Sequence, residues 1–381
     1  MKTIAILSAI TTFATIATAQ PVIDGTSYTE YGDVCVLQNN NTNFGDSLTG
    51  NVAYADGSEL DGGSAIISAG FLYIHLGGNL QHNYNKLEIF IDARDGGQNT
   101  ILSTNPDVSF SALQRMGDDG TGNGLTFDTG FEPDFYITLT CGDNGIGTGV
   151  TSYVSYAELK SDGSGVGSYA GASDTYYYQD GDGNWIPVVE TGGSEFGFRF
   201  ALNNSNWSGV VSGTGEDCGI AGGAPVQTGF EFAIPLSLFD WDQEGLLIEN
   251  ASVCAFINAV DHNYVSNQVL GGLGGLDNLG EPRLIDFSQL AGDQFFSVGD
   301  VAAICGALPT GACCFANGEC WEDLTDDNCF ASRGAWGGES SVCVDCDLGG
   351  SNPCPTDVNA DGIVDIEDLL ELISAWGTIC P

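Results

Sequence analysis

Basic residues are scarce in this chain. Among 381 residues there are eight Lys+Arg and three His against 51 Asp+Glu, a formal net charge of −43. A surface so acidic repels DNA, RNA and anionic membranes, which argues against them as partners. It favours cations and solubility in a saline medium. Long apolar runs are also missing. No stretch reaches the roughly 20 residues that a membrane-spanning helix needs, so no span is expected. Histidine is too sparse for much catalytic machinery: His75, His82 and His262 fall in neither a nucleophile elbow nor an H-E-x-x-H pattern. His75, inside an apolar run, reads as a packed residue. No catalytic residue is assigned. Carboxylate pairs discriminate nothing in so acidic a chain, although Glu88 and Asp92 on one strand are the pair to watch.

What is present begins with Met1-Lys2-Thr3, an apolar Ile4-Ala5-Ile6-Leu7 run and Ala17-Thr18-Ala19-Gln20. A basic start, a short apolar stretch and a small-x-small ending are the pattern of a secretory signal, residues 1–19. The expected location is extracellular or at the cell surface. Thirteen Cys in an exported chain imply disulfides, and an odd count leaves at least one thiol outside any internal pair.

Fifty-five Gly, with scarcely any helical periodicity, point to a turn-rich β body over 20–305. Lys86-Leu87-Glu88-Ile89-Phe90-Ile91-Asp92 puts Leu87, Ile89 and Ile91 on one face by period two. Strands are also expected at 65–76, 135–140, 152–159, 196–202, 228–234 and 252–260. The fold class is mainly β, a large jelly-roll-like β-sandwich. Three stretches read as polar, glycine-rich loops: 116–124, 160–172 and 176–184. Within the last, Asp180-Gly181-Asp182-Gly183-Asn184 reads as a solvated turn before a cation site. Trp185 and Trp207, in polar surroundings, are the candidate sugar-stacking residues, whereas Trp241 reads as core.

The order Val22-Ile23-Asp24-Gly25-Thr26, then Leu87-Glu88-Ile89-Phe90-Ile91-Asp92, then Phe230-Glu231-Phe232-Ala233-Ile234-Pro235-Leu236 resembles family 9-type carbohydrate-binding-module-like sandwiches. Asp261 to Gln268 and Leu279 to Arg283 resemble the closing segment of exported sandwich proteins. The resemblance implies a non-catalytic module of a secreted bacterial protein, with a polysaccharide or cell-surface component as partner.

From Gly311 the composition changes. Cys313, Cys314, Cys320, Cys329, Cys343 and Cys346 fall in a short stretch, so 306–348 reads as a module in which disulfides replace a core. Six cysteines allow 15 pairings and the spacing selects none. A zinc site at Cys343-x-x-Cys346 ranks below disulfides, since no His lies nearby. Residues 349–353 are a linker.

The last unit, 354–381, opens on a calcium loop. Asp357-Val358-Asn359-Ala360-Asp361-Gly362-Ile363-Val364-Asp365-Ile366-Glu367-Asp368 places side-chain oxygens at loop positions 1, 3, 5, 9 and 12 and Gly at 6. A hard cation needs oxygens converging from several directions, and the Gly permits the turn between them. Ile366, Leu369, Leu370, Ile373 and Trp376 then share one helical face. Cys354 and Cys380 flank the unit. It resembles one repeat of a type I dockerin. The resemblance implies Ca2+ held by Asp357, Asn359, Asp361, Asp365 and Asp368 with the Ile363 carbonyl, and a cohesin-like or anchoring partner. The family usually carries two repeats, often with small hydroxyl residues at loop positions 10 and 11; here there is one repeat, with Ile366 and Glu367 there. The expected function is a secreted, non-catalytic, glycan-associated surface protein with a calcium-dependent attachment module. The alternatives are a polysaccharide hydrolase carrying a dockerin-like tag and a structural matrix protein.

Overall fold

The structure is a computed structural model, and it describes residues 20–27, 30–32, 34–38, 42–44, 58–143, 149–179, 185–194, 197–206, 226–239, 251–271, 273, 277–300, 310–314, 320–325, 335–336 and 343. The chain divides into two compact units, 1–302 and 303–381. In chain order the first contains β1 (Val36–Leu37), β2 (Glu59–Ser68), β3 (Phe71–Asn79), β4 (Asn83–Asp92), the short helix α1 (Ala112–Met116), β5 (Phe135–Asp143), β6 (Gly149–Glu158), β7 (Gly167–Gln179), β8 (Trp185–Val189), β9 (Gly192–Gly193), β10 (Arg199–Leu202), β11 (Gly229–Pro235), β12 (Ser252–Asn258), β13 (Val265–Val269) and β14 (Phe296–Ser297). The protein is mainly β, and all pairing between these strands is antiparallel.

One sheet has six strands in the order β1-β2-β3-β11-β10-β9, and the other runs β13-β12-β4-β5-β6-β7-β8 with β14 beside β12. Period two decides what each strand contributes. Leu87, Ile89 and Ile91 of β4, Phe135, Ile137 and Leu139 of β5, and Val253, Ala255 and Ile257 of β12 enter one core with Leu72, Ile74 and Leu76 of β3 and Phe230, Phe232 and Ile234 of β11. Each is fully buried, so the two sheets share this core. The tight β2–β3 hairpin turns at Ala69 and Gly70, both at positive φ.

The opposite face of the larger sheet is covered too. Phe90, Tyr136 and Phe256 point away from the shared core and are buried under Leu113 and Met116 of α1 with Phe127, Phe131 and Phe287. The Phe90 ring centroid lies 4.8 Å from Phe127 and 4.9 Å from Tyr136. This explains why β4, β5 and β12 read as nearly continuous apolar runs: their middles are buried on both faces. The 116–124 stretch belongs to this cover, and Gly117 and Gly124 lie so close to the Leu102 and Ile101 backbone that neither has room for a Cβ. On the smaller sheet, Glu231 fastens the N-terminal segment by accepting from the Asp24 and Gly25 amides at 2.8 and 2.9 Å and from the Tyr31 hydroxyl at 2.7 Å.

Two expectations for loops are corrected. Residues 167–179 form β7, the longest strand, and Trp185 begins β8. Ala170, Ser173, Thr175 and Tyr177 are buried along β7, so it does alternate, but mostly with small and hydroxyl side chains that carry little hydropathy contrast.

In the second unit β15 (Thr310–Cys314), β16 (Cys320–Thr325) and β17 (Ala335–Trp336) make a three-stranded antiparallel sheet. A Cys320–Cys343 disulfide crosses a Cα separation of 5.7 Å, and Cys314 is also disulfide-bonded. In the first unit Cys141 and Cys254 are buried thiols, and burial pushes both pKa values up, so they behave as small apolar side chains. Among the described residues no helix is long and apolar enough to cross a membrane.

Candidate functional site

The cover over the larger sheet is incomplete. Where it stops, the outward side chains of β4 to β7 floor a cleft of about 610 Å3, rimmed by Ser109 and Phe110 on one side and by Val260 and Asp261 on another. Register explains the floor. Asn258, Lys86, Thr140 and Tyr153 oppose one another across β12, β4, β5 and β6. The next row runs Phe256, Glu88, Thr138, Ser155 and Tyr169, ending on β7. Tyr84, two residues before Lys86, extends the floor, and Gly142 leaves the space its ring fills: a Cβ there would overlap the ring. Tyr84, Phe110, Tyr153 and Tyr169 are 47, 94, 38 and 59 % exposed. Four aromatic residues therefore line one cleft, Tyr84, Tyr153 and Tyr169 on strands and Phe110 on the rim turn.

The backbone is strained here. Six described non-glycine residues have positive φ, and five of them, Tyr84, Ser109, Phe110, Ser111 and His262, lie in or beside this cleft. Left-handed backbone disfavours each by about 1–3 kcal/mol and persists only where neighbours over-determine it. Those neighbours are visible. His262 Nε2 lies 2.8 Å from the Ser109 carbonyl and the Ser111 amide donates to Asp107 Oδ1 at 3.0 Å. Beneath the cleft, His262 Nδ1 is 2.7 Å from Glu88 Oε1, Tyr136 donates its hydroxyl to Glu88 Oε2 at 2.6 Å, and Asn258 Nδ2 donates to Oε1 at 3.2 Å. Asn258 Oδ1 in turn accepts from the Ala259 and Tyr264 amides, shaping the turn that carries Val260 and Asp261. Both His262 ring nitrogens lie within hydrogen-bond distance of an oxygen. Burial alone would raise the Glu88 pKa, but His262 and the hydrogen bonds hold it below the usual glutamate range. Glu88, His262 and Asn258 thus position the two rim segments; none is exposed to the cleft's contents.

A second, smaller cleft of about 240 Å3 is lined by Arg94, Asp134, Glu158 and Lys160 among others. Burial raises Asp134 to about 7 and Asp92 nearby to about 6. Asp134 Oδ2 accepts from the Ala93 and Arg94 amides and Asp92 Oδ2 from the Glu132 amide, so both carboxylates tie down the loop ends that meet there. Glu158 pairs with Lys160 at 3.2 Å.

Asp357, Asn359, Asp361, Ile363, Asp365 and Asp368 lie outside the described residues, as do Trp207, Trp241 and the 180–184 turn. Trp185 is placed in β8 by its backbone alone. Among the described residues no group of three or more His, Cys, Asp or Glu is arranged to hold a metal. Glu88 and Asp92 do not act together: Glu88 is bound to His262 and Asp92 to the Glu132 amide. His75 is packed against the Tyr31 ring at 5.7 Å, and burial drives its pKa down to about 3. The cleft residues Tyr84, Lys86, Tyr153 and Tyr169 were not singled out from sequence. One signal was available: Lys86 is among only eight basic residues and sits inside an apolar strand.

Compared with the known protein families, with curated proteins and with solved structures, the chain shows no match in any of the three.

Proposed function

We propose that this chain is an exported, non-catalytic glycan-binding protein whose sugar site is the cleft on the outer face of β4 to β7. One observation carries the reading: Tyr84, Tyr153 and Tyr169 from three strands and Phe110 from the rim line a single concavity with their rings partly exposed. Sugar rings present apolar C–H faces that stack on aromatic rings, and a preformed cleft with few polar groups is the usual form of a small-ligand site. Two antiparallel sheets on one core support the reading of the body as a jelly-roll-like sandwich similar to family 9-type carbohydrate-binding modules.

The C-terminal segment supplies attachment. The oxygen spacing from Asp357 to Asp368 supports a dockerin-like calcium loop, and a cohesin-like or anchoring protein is its partner class. Calorimetry on the full mature chain should give saturable calcium binding that is absent from the Asp357→Ala/Asp361→Ala variant. Equal heats from the two chains would remove the calcium loop from the account.

The glycan reading is tested by retention of the mature chain on a panel of insoluble polysaccharides, with release of reducing ends followed in parallel. Retention without release is expected. Release of reducing ends would favour a hydrolase. Neither retention nor release, with assembly that needs calcium, would favour a structural matrix protein.

A further inference from the structure

The cleft floor contains a lysine ammonium without a contact partner among the described residues. Lys86 is only 2 % exposed, yet it lines the cleft, and among the described residues its ammonium makes no hydrogen bond or ion pair. The nearest acidic groups do not supply a partner. Glu88, two residues along β4, attracts the ammonium electrostatically but makes no ion pair with it, and its oxygens already hold His262, Tyr136 and Asn258. Asp261, on the rim, is solvent-exposed and acts on Lys86 only across a distance. Burial disfavours the charged ammonium and lowers the Lys86 pKa, an unfavourable arrangement that a bound anion would relieve. In a chain with 51 acidic residues and only eight Lys+Arg, a lysine without a carboxylate contact at the bottom of an aromatic cleft is the opposite of what chance placement gives.

The cleft therefore offers two kinds of contact at once: stacking surfaces from Tyr153 and Tyr169 at one end of the two cross-strand rows, and a buried cation from Lys86 in the first row. We propose that the cleft selects an acidic sugar unit, with rings stacked on the tyrosines and its oxyanion substituent, a carboxylate or a sulfate ester, paired with Lys86. This rests on the glycan reading above and specifies its substrate class. Neutral sugars would stack equally well but leave the ammonium unpaired. The ion pair would form in a site of low dielectric, where salt screens it little, whereas the repulsion between an acidic glycan and the chain's −43 charge is long-ranged and screened by salt. Binding should therefore survive, or strengthen, as ionic strength rises, unlike a surface attraction.

The test titrates the mature chain with a galacturonate tetrasaccharide, a sulfated galactan tetrasaccharide and cellotetraose, at 0.05 and 0.5 M salt. At least one acidic probe is expected to bind ten-fold or more tighter than cellotetraose, and the better of the two identifies the substituent. Lys86→Met keeps the apolar stem and removes the charge; it should abolish that preference without lowering the unfolding midpoint. Asp261→Asn should tighten acidic binding severalfold, an independent check should Lys86→Met fold poorly. Equal or better binding of cellotetraose by the native chain, or an acidic preference unchanged in Lys86→Met, would overturn the proposal while leaving the glycan reading in place. Binding of none of these probes, with no retention on any polysaccharide, would overturn both.

Discussion

Gly142 sits in β5 with a backbone that any residue can adopt, and its missing side chain is what leaves room for the Tyr84 ring. Only the far end of that ring would be struck by a Cβ, and Tyr84 is half exposed, so it can swing away. Gly142→Ala should thus displace one cleft wall and leave the fold intact. Glycan affinity should fall severalfold while unfolding stability changes by less than about 1 kcal/mol, a difference that binding and denaturant titrations on the same preparation would separate. A comparable loss in both would mean that Gly142 serves the core and not the cleft. At this scale the sequence is partly legible. Period two in β4 places Lys86 and Glu88 opposite Leu87 and Ile89, but nothing local indicates that Glu88 meets a histidine 174 residues later. That contact follows from β12 pairing with β4, which periodicity does not reveal.

Among the elements, β4 and β12 and the turn after β12 are joined to the Ser109–Ser111 segment through Glu88 and His262. Both side chains are fully buried, so removing one partner strands the other. Glu88→Gln should destabilise the chain by about 3–5 kcal/mol, measured by urea unfolding at pH 7. The pH dependence has a definite sign. Because the folded-state Glu88 pKa lies below its ordinary value of 4.5, the native carboxylate contributes stability that is fully present above 4.5. That contribution is lost as pH falls below 4.5 and through the depressed value. The Glu88 contribution to the stability difference between native chain and Glu88→Gln should be fully present above pH 4.5 and shrink at lower pH; a difference that grew on acidification below 4.5 would contradict this placement of charge. The strands at 87–91, 135–140 and 228–234 were readable because bulky apolar residues recur at every second position. β7 was not, because Gly, Ala, Ser and Thr occupy most of its length and long-range pairing with β6 decides the matter.

For the whole molecule, roles divide between two compact units. The first compact unit, 1–302, carries the two sheets and the aromatic cleft, and the second, 303–381, carries the three-stranded sheet, the Cys320–Cys343 disulfide and the sequence with calcium-loop spacing. Mainly β architecture and the cysteine-rich segment were legible from composition, since Gly-rich turns and clustered Cys are compositional facts. The cleft was not, because it forms where a cover built from residues about 100–130 and 279–290 ends over a sheet whose strands come from distant parts of the chain. Its aromatic lining is the central claim. Tyr153 and Tyr169 are exposed, on neighbouring strands, and expendable to the core, so their removal isolates binding from folding. The decisive measurement is the affinity of Tyr153→Ala/Tyr169→Ala for the polysaccharide that best retains the native chain. A loss of ten-fold or more, about 1.4 kcal/mol, with an unchanged unfolding midpoint is the predicted result. Undiminished retention would contradict the claim that this cleft is where the protein holds its glycan.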